Sequence, residues 1–156
     1  MKHLTYLALS LFPAALLGCS SSSAVSGSPS PALASSGNEQ VTVYYFHRTL
    51  RCISCLSIEK MARETLQENY PQDVANGTIR WQPVDYWQDT ELAKRFGVDS
   101  PTLVVAVNDH GKIASYRRLD DTWSLKGDSK AFHTMLVKAV SEAMSRQQPA
   151  RARSST

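Results

Sequence analysis

What this 156-residue chain lacks already narrows what it can be. The apolar run from Leu4 to Leu17 is shorter than the roughly 20 residues a helix needs to cross a bilayer, so no mature spanning helix is expected. Glycine is sparse, seven residues, and no Gly-x-Gly-x-x-Gly follows a strand, which removes a flavin or nicotinamide site; no cofactor is expected. Excess charge is small, formally +3, and the basic residues are spread out, which argues against a nucleic-acid partner. Low-complexity sequence at both ends leaves about 110 residues for a core, enough for one domain and not for a second. Cysteine is scarce too: Cys52 and Cys55 form a pair and Cys19 stands apart.

What precedes Cys19 accounts for it. A basic start, Met1-Lys2-His3, leads into the apolar run, the pattern of an export signal over residues 1–18. Its end, Leu16-Leu17-Gly18-Cys19, resembles the bacterial lipobox, in which the cysteine is acylated and the chain is cut before it. That resemblance implies a lipid-anchored protein of the bacterial cell envelope, attached to the membrane through acyl chains such as palmitate at Cys19 and facing the periplasm. Ser20 in the following position favours the outer over the inner membrane. Residues 19–40, rich in Ser, Ala, Pro and Gly, read as a disordered tether.

The folded part is expected over 41–146, followed by a flexible basic tail, 147–156. Val41 to His47 is β-branched and aromatic without charge, a strand buried on both faces. Apolar residues from Cys55 to Tyr70 recur at helical spacing until Pro71 ends the pattern. Asn76-Gly77 turns the chain into a strand within Thr78 to Asp85, and Asp89 and Gly97 bracket a short helix. Thr102 to Val107 and Lys112 to Tyr116 flank the turn Asn108-Asp109-His110-Gly111 as a hairpin. A final helix carries the stripe Phe132, Met135-Leu136, Ala139-Val140 and Ala143-Met144, with Ser129 as its expected cap. The order β-α-β-α-β-β-α predicts an α/β fold, a four-stranded mixed sheet with helices on both faces.

Chemistry concentrates at Cys52-Ile53-Ser54-Cys55, between the first strand and the first helix. Unpaired N–H groups and the dipole at a helix start favour thiolate over thiol. The spacing serves three uses: thiol–disulfide exchange, an inert bridge, or part of a metal site. For exchange, Cys52 attacks a partner's disulfide and Cys55 resolves the intermediate, with Arg48 and Arg51 lowering the first thiol's pKa. For metal, His47, His110 and His133 are the available imidazoles, but they are scattered over separate elements, and no metal ligand set is assigned. His47 is either a pKa-setting neighbour or a hydrogen-bonded strand terminus. Trp81, Tyr86, Trp87 and Trp123 are candidate groove residues, Trp81 being better placed in the core.

Three stretches together resemble the thioredoxin superfamily: Tyr45-Phe46 through Cys52-Ile53-Ser54-Cys55; Val84-Asp85 with Glu91 to Val98; and Ser100-Pro101-Thr102-Leu103-Val104. The resemblance covers Val41 to Arg146. It implies a thioredoxin-like fold and catalytic Cys52 and Cys55, with Ser100, Pro101 and Thr102 as a substrate-binding segment in which Ser100-Pro101 is a cis peptide facing the pair. A narrower likeness, carried by Tyr44-Tyr45-Phe46-His47, Arg51-Cys52, Cys55, Ile58-Glu59, Leu119 and Trp123, is to small bacterial thioredoxin-like proteins named as nitrophenyl-compound nitroreductase subunits of the ArsF type; nitroreduction itself would have to come from a partner. This chain departs from thioredoxin in having Arg51 before the first cysteine, Ile53-Ser54 between the two, and no carboxylate in the first strand, so that proton transfer falls to His47 or to water.

The expected function is a membrane-anchored thiol–disulfide oxidoreductase acting, as a monomer, on disulfides of extracytoplasmic protein partners. The alternative is a non-catalytic accessory or copper- or zinc-handling subunit docked on a membrane redox protein.

Overall fold

The computed structural model describes residues 39–154, with side chains placed for 40–147. The expected signal peptide (1–18), Cys19 and nearly all of the tether lie outside the described residues, as do the side chains of the basic tail beyond Gln147.

Four strands form one sheet in the order β2-β1-β3-β4: β1 (Glu39–His47), β2 (Ile79–Asp85), β3 (Thr102–Asp109) and β4 (Lys112–Leu119). β1 runs parallel to β2, from Val41 beside Ile79 to His47 beside Asp85, and antiparallel to β3, where Phe46 faces Thr102. Side chains alternate between the two faces of a strand, so β1 feeds two cores. Val41, Val43 and Tyr45 pack with α1 (Ile53–Asn69) and α4 (Ser129–Ser154), through Ile58, Ala62, Leu66, Phe132, Leu136 and Val140. Tyr44 and Phe46 pack on the opposite face with Ala93 and Phe96 of α3 (Thr90–Phe96). Cover on both faces is why β1 tolerates no charge between Val41 and Phe46. The fold is α/β and thioredoxin-like, a mixed four-stranded sheet with helices on both sides.

Local chemistry fixes several boundaries. The Asp89 carboxylate accepts from the Leu92 N–H at the start of α3, and Gly97 closes that helix in the left-handed conformation at φ 63°. The β3–β4 turn places His110 and Gly111 at φ 49° and 76°, a two-residue left-handed pair whose twist suits a hairpin. Pro83 is accommodated because β2 is an edge strand.

Three local expectations change. Pro71 does not simply stop the first helix; it opens a second, α2 (Pro71–Ala75), at the first helical position, where its missing N–H has no helical partner to lose. Asp128, not Ser129, caps α4: its carboxylate accepts from the Ala131 N–H at 2.9 Å, because Ser129 already belongs to the helix. That helix also continues through Pro149 to Ser154, and Gln147, the first residue assigned to the tail, is buried. With its amide oxygen turned toward the sheet, Gln147 accepts from the Gln40 and Val41 N–H groups at 3.2 and 3.1 Å, which compensates the burial of a polar side chain.

Candidate redox site

β1 ends at His47, five residues turn the chain, and α1 begins at Ile53, so the sheet aims the helix start at its C-terminal edge. Cys52 is the N-cap of α1, extended at φ −81° and ψ 166°, and its Sγ accepts from the Cys55 N–H at 3.2 Å. Cys55 lies one turn in and is buried, while Cys52 is exposed. Both are free thiols, their sulfurs 2.7 Å apart.

This geometry separates the two thiols. The Cys52 pKa is lowered, first by the hydrogen bond from the Cys55 side chain, then by the Cys55 N–H and neighbouring backbone donors of the helix start. Burial pushes the Cys55 thiol up, and the neighbouring Cys52 sulfur adds to the rise. One sulfur is suited to attack and the other is held in reserve as a thiol.

The arginines expected to tune Cys52 have partners of their own. Arg51 forms an ion pair with Glu59 and donates from Nη2 to His47 Nε2 at 2.6 Å. Arg48 donates from Nε to the Tyr86 hydroxyl at 2.8 Å, with its guanidinium 5.4 Å from the Trp87 ring centre. His47 sits within 2.9 Å of the Arg48 carbonyl through Nδ1; a carbonyl accepts only, so Nδ1 carries the hydrogen and Nε2 receives from Arg51. His47 is thus a buried, hydrogen-bonded strand terminus. His110 is in the hairpin turn beside Asp109, and His133 contacts Asn69, so neither joins the cysteines. Among the described residues no cluster of three or more His, Cys, Asp or Glu is arranged to hold a metal ion.

The cysteines open into a cleft of about 430 Å³ that also takes in Ser100, Pro101, Thr102, Asp120 and Trp123. Thr102 anchors this wall: its hydroxyl donates to the Leu119 carbonyl at 2.9 Å. Next to it, the Leu103 N–H donates to the buried Thr122 hydroxyl at 3.2 Å, tying the segment after Pro101 to the 3-10 turn Asp120–Thr122. Of the aromatic candidates, Trp123 joins the cleft, Tyr86 and Trp87 form an edge-to-face pair around Arg48, and Trp81 stacks on Tyr45 in the core. Leu50 lines the cleft and is 85% accessible, and Ile53, between the two cysteines, is 88% accessible.

Four participants were not identified as such from the sequence. Glu59 follows Cys55 by four residues, so helical spacing alone places it over the same face. Tyr45 shares a β1 face with Val41 and Val43, the side that meets α1, which two-residue alternation would have indicated. Thr122 and Asp120 carry no local signal, because only the return of β4 beside β3 brings them to the cleft.

No protein-family model and no curated protein matches this sequence. Solved structures do. The thioredoxin of Fasciola hepatica is 21% identical over 60% of this chain and 81% of its own, with a TM-score of 0.36. Thioredoxin from Trypanosoma brucei brucei is 21% identical over 56% and 70%, with a TM-score of 0.36. The zinc-bound form of human ERp44 is 20% identical over 64% of this chain, with a TM-score of 0.43, and the match spans 26% of the ERp44 chain. Sheet order, and a Cys-x-x-Cys pair at the end of the central β1 and the start of α1, give this protein a thioredoxin-like fold.

Proposed function

We propose that this protein is a thiol–disulfide oxidoreductase, held at a bacterial envelope membrane by lipid on Cys19, that exchanges its Cys52–Cys55 pair with disulfides of periplasmic proteins. The observation that carries the chemistry is the asymmetric pair: an exposed thiol of lowered pKa at the helix start, touching a buried thiol of raised pKa. In the reducing direction Cys52 thiolate attacks a partner's disulfide and releases one partner thiolate. Cys55 then loses its proton and displaces the second, leaving Cys52–Cys55 oxidised. The cleft along Pro101 and Trp123, lined also by the exposed Leu50, suits a polypeptide segment around the partner cysteine. The anchor is supported by Leu16-Leu17-Gly18-Cys19 and by the Ser- and Pro-rich stretch behind it.

Reduction of insulin disulfides by the purified full chain, coupled to dithiothreitol, tests the activity. The wild type is expected to accelerate it and Cys52→Ser to abolish the acceleration; equal rates for both would sink the proposal. The reduction potential then assigns direction, because about 30 mV shifts the oxidised-to-reduced ratio tenfold. Loss of membrane association in Cys19→Ala tests the anchor.

A further inference from the structure

Resolution of a mixed disulfide needs Cys55 as a thiolate, in a place where burial opposes ionisation. We infer that the Tyr45 hydroxyl is the donor that holds the Cys55 sulfur in its ionised form during this step. The inference rests on the exchange reading above and assigns a further residue to it.

Tyr45 is wholly buried on the α1 side of β1, its ring stacked on Trp81 at 6.1 Å and lying 5.8 Å from the His47 ring. Enclosed in this way, the hydroxyl has α1 to bond with rather than bulk water. It donates to the Cys55 carbonyl at 3.0 Å, which puts it against the residue whose sulfur must ionise; turned toward that sulfur instead, it is a donor that lowers a pKa burial raises. A hydroxyl with one hydrogen and two nearby acceptors on one residue turns toward whichever becomes charged. Burial pushes the pKa of Tyr45 well above the ordinary phenol range, with the Cys55 sulfur adding to the rise, so it gives a hydrogen bond and does not take the proton. The other polar groups at this helix start are engaged: His47 by the Arg48 carbonyl and Arg51, and Glu59 by Arg51.

The step balances as follows. The Cys55 thiol gives its proton to water in the cleft, and its sulfur, receiving the Tyr45 hydrogen bond, attacks Cys52 Sγ of the mixed disulfide. The Cys52–partner S–S bond breaks as the Cys52–Cys55 bond forms. The partner leaves as a thiolate and takes up a proton from water. Two electrons pass from the Cys pair to the partner disulfide, and Tyr45 ends as the phenol it began.

Tyr45→Phe keeps the ring and removes the donor. In full-length protein with 13Cβ-labelled cysteine, NMR titration is expected to move the Cys55 midpoint upward in this variant. Stopped-flow resolution of a mixed disulfide preformed on Cys52 is expected to slow roughly tenfold or more, as for a lost hydrogen bond to a charged group, while alkylation of Cys52 changes little. Placing 3,5-difluorotyrosine at position 45 preserves packing and strengthens the donor, so Cys55 should titrate lower and resolve faster. An unmoved Cys55 titration in both proteins overturns the inference. If the wild type fails to exchange disulfides, the oxidoreductase reading falls and the titration still judges Tyr45. If it exchanges normally and the titration does not respond, Tyr45 alone is excluded.

Discussion

The first influence lowering the Cys52 pKa is the hydrogen bond from its neighbour three residues on, while Arg48 lines the same cleft. Replacing Cys55 by serine removes the leading influence on the Cys52 pKa, the hydrogen bond from the Cys55 thiol, and puts a hydroxyl in its place. The Cys52 titration, followed by iodoacetamide alkylation against pH, should therefore change more in Cys55→Ser than in Arg48→Gln, and the serine variant should accumulate mixed disulfide. Thr122 is the residue whose loss should be felt furthest from itself. Thr122→Val keeps the shape but leaves the buried Leu103 N–H without an acceptor, which costs about 1–3 kcal/mol in a denaturant titration and loosens the wall beside Pro101. The cysteines were singled out by their spacing at a strand–helix junction and Pro101 by the resemblance carried by Ser100-Pro101-Thr102, and the structure places all three along one cleft. Thr122 was not singled out, since a threonine in a loop becomes informative only when a second element arrives, and Tyr45 was passed over although its alternation with Val41 and Val43 marks the same face.

Elements were legible where one residue type settles the backbone. The charge-free β1 buried on both faces, the Asp89 cap and the Gly97 stop all came from local rules, and the structure keeps each of them. Gly97→Ala places a side chain in the left-handed region, with its Cβ 3.3 Å from Arg118 Nη1. A loss of about 1 kcal/mol in chemical denaturation is expected, with greater mobility of the Arg118 contact to the Gly97 carbonyl. The second short helix was missed because Pro71 reads equally well as an end and as a beginning. The tail was expected to begin at residue 147, whereas α4 runs on to Ser154 and Gln147 is buried, because glutamine carries no burial signal; that Gln147 faces the first strand depends on how α4 lies on the sheet. Gln147→Ala leaves the Gln40 N–H without that acceptor, and the full chain should melt at lower temperature.

For the molecule as a whole, the site and the stability of the reduced protein are linked through protons. The folded-state pKa of Cys52 is depressed, so its contribution is fully present above the ordinary thiol value of 9.0 and is lost as pH falls through the lowered value. Cys55 is shifted the other way and stays protonated across that window, so the stability of the reduced wild type should rise with pH up to about 9 relative to Cys52→Ser. Melting curves of the two reduced proteins at several pH values check the sign. The mixed four-stranded sheet covered on both faces was expected from the succession of elements, while the strand order β2-β1-β3-β4 came only with the structure.

The sulfur that attacks is also the sulfur that closes the first turn of α1, and one atom cannot do both equally well in every oxidation state. As a thiolate it is a strong partner for the Cys55 amide; tied into a disulfide it becomes a poor one. The Cys55 amide proton should therefore exchange with deuterium faster in the oxidised protein than in the reduced one, a built-in gauge of electron content readable without any substrate.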